Sequence, residues 1–127
     1  FIASRRQNFD ILYQGLKNLE EFLILPEATP GSEPSWFGFP LALRKEAPIQ
    51  RKALLQFLEA CKIGTRLLFG GNLTRQPAYK DMQYRVAGSL EQSDFVMSQV
   101  FWLGVYPGLT RPMLDYVIES MHEVFTR

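Results

Sequence analysis

"SWFGFPLALR", residues 35–44, is the stretch that decides the fold. It is aromatic and β-prone with Pro40 inside, so it reads as a strand with an edge or a bulge at the proline, which has no N–H to give a neighbour. Trp36, Phe37 and Phe39 alternate imperfectly, which puts aromatic rings on both faces. One face belongs to a core, and the other is open to a stacked sugar or base.

Working outward, "PEATPGSEP" (26–34) packs three prolines and a glycine into a loop before the strand. Ahead of it, Phe9, Leu12, Tyr13, Leu16, Leu19 and Leu23 recur at three- and four-residue spacing. That periodicity predicts an amphipathic helix over most of 4–24, ended by Pro26. After the strand, "EAPIQRKALLQFLEACKIG" (46–64) predicts a second helix with Pro48 in its first turn, Leu54, Leu55, Leu58 and Cys61 on one side, and Gly64 as its stop. Ser93 and Asp94 are expected to cap a short helix. "VFWLGVYPGLT" (100–110) reads as a buried strand closed by a Pro-Gly turn. Thr110 then caps a last helix, striped by Met113, Leu114, Val117, Ile118, Met121, Val124 and Phe125. The order predicts an α+β fold in which strands near 36–43 and 100–105 share one small, mostly antiparallel sheet, packed with helices and backed by the first and last of them.

Composition narrows the function. The chain has 127 residues, one domain's worth, with 46% hydrophobic residues and a net charge of +1, so no polyanion such as nucleic acid is implied as partner. Cys61 and His122 are each single, which leaves no intramolecular disulfide and too few ligands for zinc or an iron–sulfur cluster. A reducing, cytoplasmic setting fits, and no apolar run approaches the ~20 residues that span a bilayer. Cys61 reads as a small core residue, and His122, off the main stripe, as solvent-facing. No triad or carboxylate pair can be assembled, so the chain does not read as a complete enzyme. It opens at Phe1, straight into helix-like sequence, and is expected to be a piece of something longer.

"KIGTRLLFGGNLTRQPAY" (62–79) sets polar groups among apolar ones. Arg66 offers a fork of donors for a carboxylate or phosphate, or else a salt bridge to Glu33 or Asp81. Asn72, Arg75 and Gln76 suit hydroxyls and phosphate oxygens, or else serve as turn chemistry and a cap for a short helix over 75–81.

Together, "SWFGFPLALR", "KIGTRLLFGGNLTRQPAY" and "FWLGVYPGLT" resemble the C-terminal part of the pyridoxal-phosphate-fold nucleotide-sugar aminotransferases and dehydrases of the DegT/DnrJ type. The variant "TRLLFGGNLTRQP" resembles the branch of 3-dehydrases that act on CDP-4-keto-6-deoxyglucose in lipopolysaccharide biosynthesis. The resemblance implies that residues 1–127 form a small domain beside a large cofactor-binding domain. It implies pyridoxal or pyridoxamine phosphate as cofactor, a histidine in place of the usual cofactor lysine, and an iron–sulfur cluster on large-domain cysteines fed by a partner reductase. Neither that histidine nor those cysteines map onto this chain. A homodimeric parent and a CDP-linked sugar follow from the same likeness. Arg66, Asn72, Arg75 and Gln76 would then face the substrate, with Trp36, Phe37 and Phe39 walling the cleft. A sugar aminotransferase and a non-catalytic interaction module are the competing readings.

Overall fold

The computed structural model describes residues 1–126. Helix α1 (Ile2–Leu16) is followed by a 3₁₀ turn at Lys17–Leu19 and the short strand β1 (Leu23–Ile24). Strand β2 (Gly38–Leu43), helix α2 (Arg51–Ala60) and strand β3 (Thr65–Leu67) come next. Two 3₁₀ turns, Leu73–Arg75 and Pro77–Tyr79, then precede helix α3 (Glu91–Gln99). Strand β4 (Val100–Gly104) and helix α4 (Arg111–Thr126) complete the fold.

The four strands form one wholly antiparallel sheet in the order β1-β2-β4-β3. The expected pairing of the two aromatic strands is its centre, with Phe39 opposite Leu103 and Leu41 opposite Phe101. Pro40 sits inside β2 without a bulge, and the register explains why. Val105 N–H donates to the Phe37 carbonyl at 3.0 Å, so residues 37, 39 and 41 bond toward β4 and the Pro40 nitrogen points to the other edge. There β1 pairs only with Ala42 and Leu43, so no donor is missed.

One face of the sheet carries the core. Phe39, Leu41, Leu43, Phe101 and Leu103 pack with Phe9, Leu12 and Leu16 of α1, Leu54 and Leu58 of α2, and Leu114 and Met121 of α4. Gly15 lets α1 and α4 approach, because a Cβ there would lie 2.3 Å from Ile118 Cδ1. Two polar contacts lock this layer: buried Asn8 donates to the Tyr106 carbonyl at 2.8 Å, and His122 Nε2 lies 2.8 Å from the Gly15 carbonyl.

Several expectations are corrected. The first helix stops at Leu16 rather than running to 24; Leu19 and Leu23 stay buried, but in a turn and in β1. A four-residue spacing fits either arrangement, and pairing with β2 decides it. Pro48 precedes α2 instead of entering it, since the Arg44–Ala47 turn comes first and residues before proline avoid the helical region. That helix ends in a Schellman motif at Lys62 (φ 62°), with Ile63 N–H bonded to the Leu58 carbonyl, so Gly64 is not the stop. Ser93 and Asp94 lie within α3, and Ser89 Oγ accepts from Glu91 N–H at 3.2 Å. His122 is half-buried against α1 rather than solvent-facing, because its ring nitrogen serves a carbonyl at the helix end. Cys61 is half-buried and packs against the core as expected. No described helix is long and apolar enough to cross a membrane.

Candidate functional site

The polar stretch runs from β3 to the second 3₁₀ turn. Arg66 stands opposite Trp102 in the β3–β4 ladder, on the face away from the helices. It is exposed, and its guanidinium donates to its own neighbour's carbonyl, Thr65 O, at 2.8 Å. Neither expected salt bridge forms: Glu33 pairs with Arg6 at 3.4 Å, and no ion pair joins Arg66 to Asp81 among the described residues.

The other three polar residues hold the segment itself. Asn72 is 4% exposed. Its Oδ1 accepts from Thr74 N–H and Thr74 Oγ1, which caps the first 3₁₀ turn, and its Nδ2 donates to Asp94 Oδ1 at 2.7 Å. Arg75 meets the same carboxylate in a two-pronged pair, Nε to Oδ1 and Nη2 to Oδ2, both at 2.5 Å. Gln76 Nε2 closes the loop on the Gly70 carbonyl at 2.7 Å. The expected short helix over 75–81 is replaced by two 3₁₀ turns separated by Gln76, where Pro77 begins the second.

Asp94 is the residue that sequence reasoning missed here, because a carboxylate near a helix start reads first as a cap. Hydrogen bonds from Arg75, then from Asn72, hold its carboxyl below the usual carboxylate value. A depressed folded-state value means that the contribution of this network is complete above about pH 4 and fades as the pH falls through the lower folded-state value. The protection of the amides of residues 70–76, taken relative to their intrinsic exchange rates at each pH, is therefore expected to stay constant from pH 7 to about pH 4 and to fall only in stronger acid. Loss of protection already between pH 7 and 5 would contradict the pairing.

Gly71 brings the segment onto α3. It has φ 61°, and a Cβ there would lie 2.6 Å from Met97 Cβ and 2.9 Å from Met97 Cα. Gly71→Ala would meet helix backbone as well as a disfavoured φ, and is expected to destabilise by about 1–3 kcal/mol, read from urea unfolding. A neutral result would mean that the segment does not rest on α3.

The aromatic residues divide. Phe39 is fully buried, its ring centroid 4.8 Å from that of Phe9, so it has no surface to offer a ligand and is corrected to a core residue. Trp36 stacks on Phe9 at 4.3 Å with planes 7° apart, leaving part of its surface outward. Phe37 is 61% exposed on the open face and meets Trp102 edge-on at 5.3 Å. With Pro40, Leu68 and Phe69 these rings line a shallow hollow of about 250 Å³. Trp102 lies over Gly38, whose absent Cβ would come within 2.5 Å of the indole. Trp102 and Phe69 were not among the expected site residues; Trp102's placement opposite Arg66 depends on a register that only pairing sets.

An open sheet face with an unpaired arginine beside aromatic rings is suited to an anionic, ring-bearing ligand. The sequence profile of the DegT/DnrJ/EryC1/StrS aminotransferase family matches residues 1–122. The chain belongs to that family. The lipopolysaccharide biosynthesis protein RfbH of Salmonella typhimurium is 52% identical over 125 residues, 98% of this chain and 29% of that protein. The dTDP-4-dehydro-2,6-dideoxy-D-glucose 3-dehydratase of Saccharopolyspora spinosa is 52% identical over 123 residues, 97% of this chain and 26% of that protein. In structure, Escherichia coli GDP-4-keto-6-deoxy-D-mannose-3-dehydratase with bound hydrated PLP superposes with a TM-score of 0.81 at 26% identity, over 94% of this chain and 30% of that one. The chain thus spans under a third of the length of these relatives.

Proposed function

We propose that the chain is the C-terminal small domain of a pyridoxal- or pyridoxamine-phosphate-dependent 3-dehydratase, which removes the C3 hydroxyl of a nucleotide-linked 4-keto-6-deoxyhexose. The observation that carries this reading is 52% identity, over nearly the whole chain, both to a lipopolysaccharide biosynthesis protein and to a named nucleotide-sugar 3-dehydratase. A CDP-linked sugar of lipopolysaccharide, an iron–sulfur cluster, a reductase, a homodimer and a cytoplasmic setting belong to the same proposal.

The cofactor does not fit the residues of this chain. All five lysines are exposed and none lines the aromatic hollow, and no group of three or more His, Cys, Asp or Glu among the described residues is placed to hold a metal. The cofactor and the chemistry it supplies are therefore assigned to the rest of the longer protein. The part left to this chain is binding and orientation: Arg66 would meet the substrate's phosphates, while Phe37 and the outward part of Trp36 wall the cleft. Asn72, Arg75 and Gln76 shape the segment beside it, and Arg75 Nη1, which has no hydrogen bond among the described residues, would be open to an anion.

The family includes aminotransferases, so the product decides between the two activities. Full-length protein given cofactor, reductant and a nucleotide-linked 4-keto-6-deoxyhexose is expected to yield a sugar that has lost the C3 oxygen. A product that gains nitrogen at C4 would make it an aminotransferase instead. The chain by itself is expected to give no saturable absorbance change with micromolar pyridoxal phosphate, and such a change would place the cofactor site here after all.

A further inference from the structure

Among the described residues, two that are not glycine have positive φ: Lys62 at 62° and Phe69 at 50°. Lys62 closes α2 through the hydrogen bonds described above, so its conformation has a local cause. Phe69 closes no helix, and its one backbone bond, a short turn back to the Leu67 carbonyl, does not itself require a positive φ. The left-handed region is a true outlier for a bulky residue, and strain of this kind gathers at ligand clamps. Two glycines follow it directly, and Gly70 next door does not take the positive φ. The strain falls on the aromatic residue, and it leaves the ring 78% exposed. A ring held so far out adds little to the core.

What the strained turn does is place Phe69 in the wall of the hollow that Phe37 and Trp102 also line. The other parts of this wall are fixed. Phe69 N–H donates to the Leu67 carbonyl at 2.8 Å, and the Trp102 indole N–H donates to the same carbonyl at 3.2 Å. The segment after Phe69 is tied to α3 through Asp94, so the ring is set in advance. Arg66, with no carboxylate partner, stands across the ladder from Trp102 on the same face.

We propose that the hollow beside Phe69 seats the heteroaromatic base of the nucleotide, stacked on Phe69 and Phe37, with Arg66 toward the phosphates. This rests on the nucleotide-sugar reading given above. Stacking tolerates different bases because each presents a π-face, which suits relatives named for thymidine and guanosine nucleotides. An apolar side chain from the rest of the longer protein is the rival occupant.

The test uses full-length protein titrated with cytidine 5′-diphosphate by calorimetry, with melting temperature recorded for every variant. Phe69→Leu keeps apolar bulk but no π-face, and is expected to weaken binding about 5- to 100-fold, whereas Phe69→Tyr should bind close to the parent. Phe69→Gly removes ring and strain together, so affinity should fall while the melting temperature holds or rises. Unchanged affinity in the Leu and Gly variants overturns the proposal. A lower melting temperature at unchanged affinity overturns it too, and identifies packing against the rest of the protein. If the parent protein itself does not bind the nucleotide, the nucleotide-sugar reading fails; if it binds and the Phe69 variants bind equally well, only the base seat does.

Discussion

Arg66→Ala in the full-length protein is expected to lower kcat/KM for the nucleotide sugar by about 30- to 1,000-fold, equivalent to roughly 2–4 kcal/mol of transition-state binding. The expectation rests on what the structure leaves undone at this residue. Its guanidinium makes a single hydrogen bond, to the adjacent Thr65 O at the surface, and no ion pair within the described chain, so alanine removes one exposed bond and no charged partner. Stability should hardly move. Lysine should recover only part of the loss, because it keeps the charge and loses the planar fork. Arg75→Ala is the informative contrast: its two-pronged pair with Asp94 makes it a holder of the segment, so a smaller kinetic loss with weaker protection of residues 70–76 is expected. Near-normal kcat/KM in Arg66→Ala would make the stretch structural throughout.

Phe39→Ala is expected to cost about 3–5 kcal/mol of folding stability, against a total of about 5–15 for a domain of this size. Phe39 is fully buried, pairs with Leu103 in the middle of the sheet and tilts against Phe9, so truncation opens a cavity between the sheet and α1. Phe37→Ala, two residues away and 61% exposed, should change urea-unfolding stability by under about 1 kcal/mol. Equal losses at both positions would mean that the two rings do not divide between core and open face. In whatever Phe39→Ala protein stays folded, nucleotide-sugar kinetics should be close to normal, since this ring reaches no ligand.

The three motifs and the apolar periodicities determined the α+β class, the antiparallel pairing of the strands near 36–43 and 100–105, the first and last helices behind them, and the family. Those features are local or repeat along the chain: alternation, stripe and turn residues state which side of each element must be dry. The segment around Arg66, Asn72, Arg75 and Gln76 was legible as a candidate site because polar groups interrupt an apolar run. What each group does there was not legible. Asn72 and Arg75 meet Asp94 across 22 and 19 residues of sequence, and that distance closes only when α3 folds back on the segment. The same limit applies to the rings. Trp36 and Phe39 turn to the helices while Phe37 turns outward to Trp102, because the backbone breaks its alternation ahead of Gly38, and Trp102 stands opposite Arg66 only through the register of β3 on β4. Sequence alone thus determined which residues are chemically able to bind. Tertiary structure decided which of them are still free to, because a hydrogen bond or a buried face committed to a distant partner is no longer available to a ligand.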